Sequence, residues 1–177
     1  CLMDISGIDH NMIGIWPEEF IRHVMEIRFI VEIPAASLAA RRRTSEDISR
    51  ISSCIQNLSD ASASTGDSYE STIWDAYFHS TVIDSSHNPL LSRIYERFSA
   101  FMQNFIAFRR KRLLALNIAS DQIVSEHQRI LEAIIGRDEE KAAACMKEHL
   151  GKTLGMYEVE HLLLESLFIA GGIPPFN

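Results

Sequence analysis

Apolar residues recur at three- and four-residue spacing through almost the whole chain, and runs of strict apolar/polar alternation are hard to find. That periodicity predicts helices rather than strands, so the expected fold is all-α, an antiparallel bundle of six to seven helices with no sheet. Residues 18–32 form the first expected helix. Pro34 suits a first helical turn better than an interior, so a second, short helix is expected to start there and to run through PAASLAARRR. Thr44-Ser-Glu-Asp47 has the spacing of a capping box with a shorter acid, and should open a helix to about Leu58. The polar SDASASTGDS at 59–68 is expected to be a loop and the most mobile internal segment. A helix from about Tyr69 to Asp84 follows, closed by the turn-like SSHN. Asn88-Pro89 supplies an N-cap followed by a proline at the first position, starting a helix to about Leu114. Ser120 or Asp121 should cap the next helix, Gly136 should end it, and Asp138 should cap a last one that runs into the 160s before GGIPP.

At 177 residues the chain is long enough for one domain, burying roughly 70% of its unfolded surface. We divide it into a leading segment, 1–17, a bundle, 18–170, and a tail, 171–177. Its composition, 46% hydrophobic and 23% charged, is that of a globular protein, and no run of about 18 apolar residues is present to span a membrane. The start, CLMDISG, carries neither an initiator Met nor a secretion signal, which suggests a piece of a longer chain. Cys1, Cys54 and Cys145 are odd in number and form no C-x-x-C pair, so a reducing cytoplasm is the simplest setting. A formal net charge of -7 argues against this piece wrapping nucleic acid by itself. The basic clusters at 41–43 and 109–112 do not reverse that, because cations near helix ends suit the negative end of the dipole.

Candidate chemistry lies in the histidines. Ile123, Val124, His127, Ile130, Leu131 and Ile134 make one apolar stripe, and Ala142, Cys145, Met146, His149, Leu150 and Thr153 make another, each with a histidine in its middle. One such histidine alone is more often a core residue with a single hydrogen bond. His79, however, lies one helical turn from Asp75, so both leave their helix on the same face. A carboxylate and three imidazoles buried without partners would cost about 1 to 3 kcal/mol each, and a divalent cation removes that difficulty. Such a donor set suits zinc first, with nickel, manganese or iron as alternatives. His10, His23, His87 and His161 have no partner at ligand spacing and read as surface or structural residues.

The same residues carry a resemblance. EIRFIVEIPAASLAARRRTSEDI, DAYFHSTVIDSSHNPLL and SEHQRILEAIIGRDEEKAAACMKEHL, in that order, resemble the C-terminal effector domain of the GntR superfamily of bacterial transcription regulators, the FadR-type or FCD domain. The resemblance covers Trp16 to about Leu154. It implies that Asp75, His79, His127 and His149 are metal ligands and that Arg28 faces the effector pocket. It further implies a cytoplasmic homodimer that senses a small carboxylate, a sugar acid or hydroxy acid, and reaches operator DNA through an N-terminal winged helix-turn-helix for which this chain has no segment. DHNMIGIW is similar to the linker of the subgroup that answers to such acids. One departure is the family's Glu-Pro pair, split here as Glu32-Ile33-Pro34, which could shift the kink between the first two helices.

Two other classes compete. A helical metalloenzyme could use the same Asp/His site, since an open metal position can polarise a substrate or activate water. Only one E-x-x-H occurs, Glu158 with His161, where a di-iron site needs two, and there is no His-Asp dipeptide, G-x-S-x-G, H-E-x-x-H or phosphate loop. The third reading is a dimerisation module whose histidines are merely buried. For Arg28 the alternative to an effector contact is an exposed salt bridge to Glu32 at i+4, worth under about 1 kcal/mol.

Overall fold

The computed structural model describes residues 18–65, 69–99 and 121–171, and among them every regular element is a helix. There are six: α1 (Glu18–Arg42), α2 (Ser45–Thr65), α3 (Tyr69–Asp84), α4 (89–99), α5 (Asp121–Ile135) and α6 (Glu139–Gly171). The leading segment, residues 66–68, residues 100–120 with the 109–112 cluster and the expected helix to Leu114, and residues 172–177 lie outside the described residues. No helix among those described is long and apolar enough to cross a membrane.

α1 packs chiefly on α6, α2 on α3, and α5 on α6 and α2. The principal core joins Met25, Ala36, Ala39 and Ala40 of α1 to Ile51 and Ile55 of α2, Phe78 and Val82 of α3, Ile130 and Ile134 of α5, and Met146 and Leu150 of α6. The alanines leave the backbone of α1 open to close approach, while each large apolar side chain buried contributes about 1.5–3 kcal/mol. A smaller cluster of Ala35, Ile83 and Tyr95 attaches α4 to α1 and α3.

The structure corrects two expected boundaries. Pro34 does not begin a helix, because α1 runs through it as one element to Arg42. The proline removes a hydrogen bond to the Ile30 carbonyl, and Ile30 is 72% exposed, so water can serve that oxygen while the buried side of α1 stays packed. α2 continues past Leu58 to Thr65, so most of the expected loop is helix. Ala61 is buried there, and the burial of one face holds a Ser- and Ala-rich stretch in helical form. At the end of α5 the left-handed residue is Arg137 (φ 57°), not Gly136. Asp138 N–H donates to the Ala133 carbonyl and Arg137 N–H to Ile134, a Schellman closure that ends α5 at Ile135, as expected. Arg137 meets the backbone cost of about 1–2 kcal/mol while its guanidinium donates to the Arg41 carbonyl at 2.8 Å.

The expected caps are present. Asp47 Oδ2 accepts from both the backbone N–H and the hydroxyl of Thr44 at 2.8 Å, and Asp47 N–H donates back to the Thr44 hydroxyl. Asn88 Oδ1 accepts from Leu90 and Leu91, and Asp138 Oδ1 from Lys141. Of the first basic cluster, Arg43 donates to the last carbonyls of α5, Ile134 and Ile135, and Arg42 to Ser86. The cations therefore sit at negative helix and turn ends.

Candidate metal centre

His79 comes from α3, His127 from α5 and His149 from α6, and all three side chains are buried. Each was marked by its place on an inward helix face, and the packing of those faces brings the rings together. His149 Nε2 lies 3.3 Å from His79 Nε2 and 3.4 Å from His127 Nε2. One ligating atom from each of the three fits within a 4.8 Å spread. Asp75, one turn before His79, places Oδ1 3.5 Å from His127 Nε2 and keeps some exposure, so it stands at the rim of the cluster. Phe78 stacks on the His127 ring with centroids 3.7 Å apart, fixing that imidazole by an apolar wall.

Two acids absent from the expected site stand behind the rings. Glu126 Oε2 accepts from His149 Nδ1 at 2.8 Å, and Glu32 Oε2 lies 2.7 Å from His79 Nδ1. Burial pushes the Glu32 carboxyl up, but the Arg28 guanidinium and then the adjacent His79 ring outweigh it and hold the group well below the usual carboxylate range. For Glu126, burial again pushes up and is outweighed by hydrogen bonds from His149, Gln122 and Lys152, so its carboxyl is also lowered. His149 is shifted down, chiefly by burial, against the pull of Glu126. Glu126 thus offers an acceptor on the Nδ1 side of His149, whose other nitrogen faces the two remaining imidazoles.

Arg28 is buried, at 3% exposure, and not on the surface. The i+4 pair with Glu32 does form, with Nε to Oε1 at 2.6 Å and Nη2 to Oε2 at 3.3 Å, but it lies in the interior where a broken pair costs far more than an exposed one. The Tyr95 hydroxyl donates to Glu32 Oε1 at 2.8 Å, so one carboxylate gathers α1, α3 and α4. Burial, then the nearby Glu32 charge, raises the Tyr95 hydroxyl well above its usual range and keeps it a donor.

His23 is exposed, and His87 is a structural residue bonded to Asp47 at 2.8 Å. His10 and the side chain of His161 fall outside the described residues. The sequence did hold a signal for Glu32: between Arg28 and Arg41 it is the only charged residue. Glu126 gave none beyond its position next to His127.

The donor set fits a cation. Atoms bound to one zinc at roughly 2.0–2.1 Å and spread tetrahedrally are about 3.3 Å apart, close to the two Nε2 separations of 3.3 and 3.4 Å. Two inward lone pairs at that distance repel unless a proton or a cation lies between them. Chemically, the group could hold one divalent ion on imidazole nitrogens, with the Asp75 carboxylate within reach.

A family model described as FCD domain matches residues 23–152. The HTH-type transcriptional regulator LutR of Bacillus subtilis strain 168 is 30% identical over 134 residues, 75% of this chain and 60% of LutR. The L-lactate dehydrogenase operon regulatory protein of Escherichia coli strain K12 is 28% identical over 127 residues, 72% of this chain and 47% of that protein. The chain thus spans about half to three-fifths of the length of these relatives. Among solved structures, a GntR family member from Pseudomonas syringae pv. tomato DC3000 shares the fold at TM-score 0.69 and 18% identity, over 90% of this chain and 62% of that one. The metal-free FCD domain of TM0439 aligns at TM-score 0.56 and 26% identity, over 80% of this chain and 94% of that one. These relatives and neighbours are regulators, not enzymes.

Proposed function

This chain belongs to the FCD domain family, and from that premise we propose that it is the sensing and dimerisation part of a transcription regulator whose effector is a small carboxylate. In this reading His79, His127, His149 and Asp75 hold one divalent cation, zinc first, and leave a position open toward the effector. The observation that carries it is the convergence of three buried Nε2 atoms from three helices, two of them backed by carboxylates. The cation would supply a positive centre able to bind an oxygen of an acid. Arg28 is the second anchor. Its Nε and Nη2 hold Glu32, so an incoming carboxylate would share Arg28 with Glu32 rather than meet it alone.

The Escherichia coli relative is named for an L-lactate dehydrogenase operon, which makes a small hydroxy acid the first ligand class to test and L-lactate the first probe. DNA contact would lie in the part of those relatives that this chain does not span, and an effector would act by favouring one arrangement of a two-fold dimer. Calorimetry of zinc-loaded protein against L-lactate, glycolate and a sugar-acid panel tests the reading. We expect one acid to bind, and Arg28→Lys to weaken it by a larger factor than it changes zinc affinity measured on the same variant. An acid that binds equally well to metal-stripped protein would remove the cation from the sensing role.

A further inference from the structure

Each of the two carboxylates behind the imidazoles is held in turn by one cation and one neutral donor. Glu126 Oε1 takes Gln122 Nε2 at 2.9 Å and Lys152 Nζ at 3.2 Å, leaving Oε2 for His149. Glu32 Oε1 takes Arg28 Nε at 2.6 Å and the Tyr95 hydroxyl at 2.8 Å, while Oε2 lies 2.7 Å from His79 Nδ1. The two arrangements come from different helices and from unrelated stretches of sequence. Both end with an acid on the Nδ1 side of a ring whose Nε2 faces the same point.

We propose that Glu126 is a positioning residue whose hydrogen bond locks His149 as the Nδ1–H tautomer, and that the Glu32 carboxylate, in ion-pair contact with His79 Nδ1 but off the line of a hydrogen bond, favours the same tautomer there, so that both Nε2 lone pairs are aimed at the cation. The inference rests on the cation reading above but has a readout of its own. A neutral imidazole free in water favours the opposite tautomer, with the proton on Nε2, and that form would turn an N–H toward the cation and block it. An acceptor fixed behind the ring removes that form before the cation arrives, and it also makes the ring a stronger donor. Arg28 and Lys152 then have a shared part: each holds an acid in place behind a ring, by the contacts at 2.6 and 3.2 Å. A merely structural carboxylate has no reason to choose the Nδ1 atom in both cases.

Metal-stripped wild-type protein labelled with nitrogen-15 at histidine reports the tautomers directly at pH 8. We expect His79 and His149 to show protonated Nδ1 and bare Nε2, with the Nε2 signals moving when zinc is added. Competition with a chelating dye then gives zinc affinity, which should fall about ten- to hundredfold in Glu126→Gln. That variant keeps the side-chain volume beside the part-exposed Lys152, so it serves if Glu32→Gln, at a fully buried position, does not fold. Protonated Nε2 on both rings, or zinc affinity in Glu126→Gln within twofold of wild type, would overturn the proposal. Wild type that takes up no zinc would sink the cation reading instead, and the tautomer spectrum would still decide whether the acids lock the rings.

Discussion

His87 and His149 each meet a carboxylate at 2.8 Å, Asp47 in one case and Glu126 in the other. The distance is the same and the consequence is not. His87 is 45% exposed, and its acid also caps α2 through Thr44, so the cluster closes on itself and water serves what remains. His149 is 4% exposed, and its far nitrogen faces two more imidazoles at 3.3 and 3.4 Å. A histidine–carboxylate pair is therefore no mark of a ligand. What separates the two regions is whether the second ring nitrogen has a complement that protein or water can give.

The comparison breaks first under a change of cation. Zinc at 100 times its dissociation constant should stabilise wild type by about 2.7 kcal/mol, a shift read by chemical denaturation with and without chelator. His149→Ala should lose that shift and His87→Ala should keep it; a shift lost in both would erase the contrast. The next effect is on the fold alone. Thr44→Ala removes the reciprocal cap with Asp47 and should cost about 1 kcal/mol, leaving the zinc-dependent shift as it was. A cap variant that also released zinc would show that the two regions are not independent.

The smallest effect concerns acid. Burial pushes Asp47 up, but hydrogen bonds from Thr44 and then His87 outweigh it and set its carboxyl below the usual 3.8. A lowered folded-state value means that the unfolded chain binds the proton first. The contribution of Asp47 is whole above about pH 3.8 and is lost as pH falls through its lower folded value. Acid unfolding of metal-free His87→Ala should accordingly begin at slightly higher pH than that of the metal-free wild type. Coincident acid curves would mean that His87 adds nothing to this pair.

The proposed ligands were legible because a helix sorts its residues by angle. His127 and His149 stand in the middle of apolar stripes, and Asp75 and His79 are one turn apart, so sequence alone put them on inward faces. Glu126 was not legible: it is next to His127 in the chain, yet its partner is 23 residues away on another helix. Glu32 was named in the split Glu-Pro pair and as a surface partner of Arg28, not as an acid behind His79, since i+4 spacing says that two residues meet but not whether water meets them too. The boundaries missed at Pro34 and Leu58 have one cause. Local propensity ends a helix at a proline or a serine run, but a buried face that continues past it can hold the helix together, as Ala35, Ala36 and Ala61 do here.

Equilibrium dialysis of tag-free, metal-stripped protein against zinc, with the bound metal counted by mass spectrometry, tests the central claim most directly. The account predicts one ion per chain in wild type and in His87→Ala, and none in the His127→Ala/His149→Ala double variant that retains its helical spectrum. One ion still bound by a folded double variant, or none bound by wild type, would contradict it.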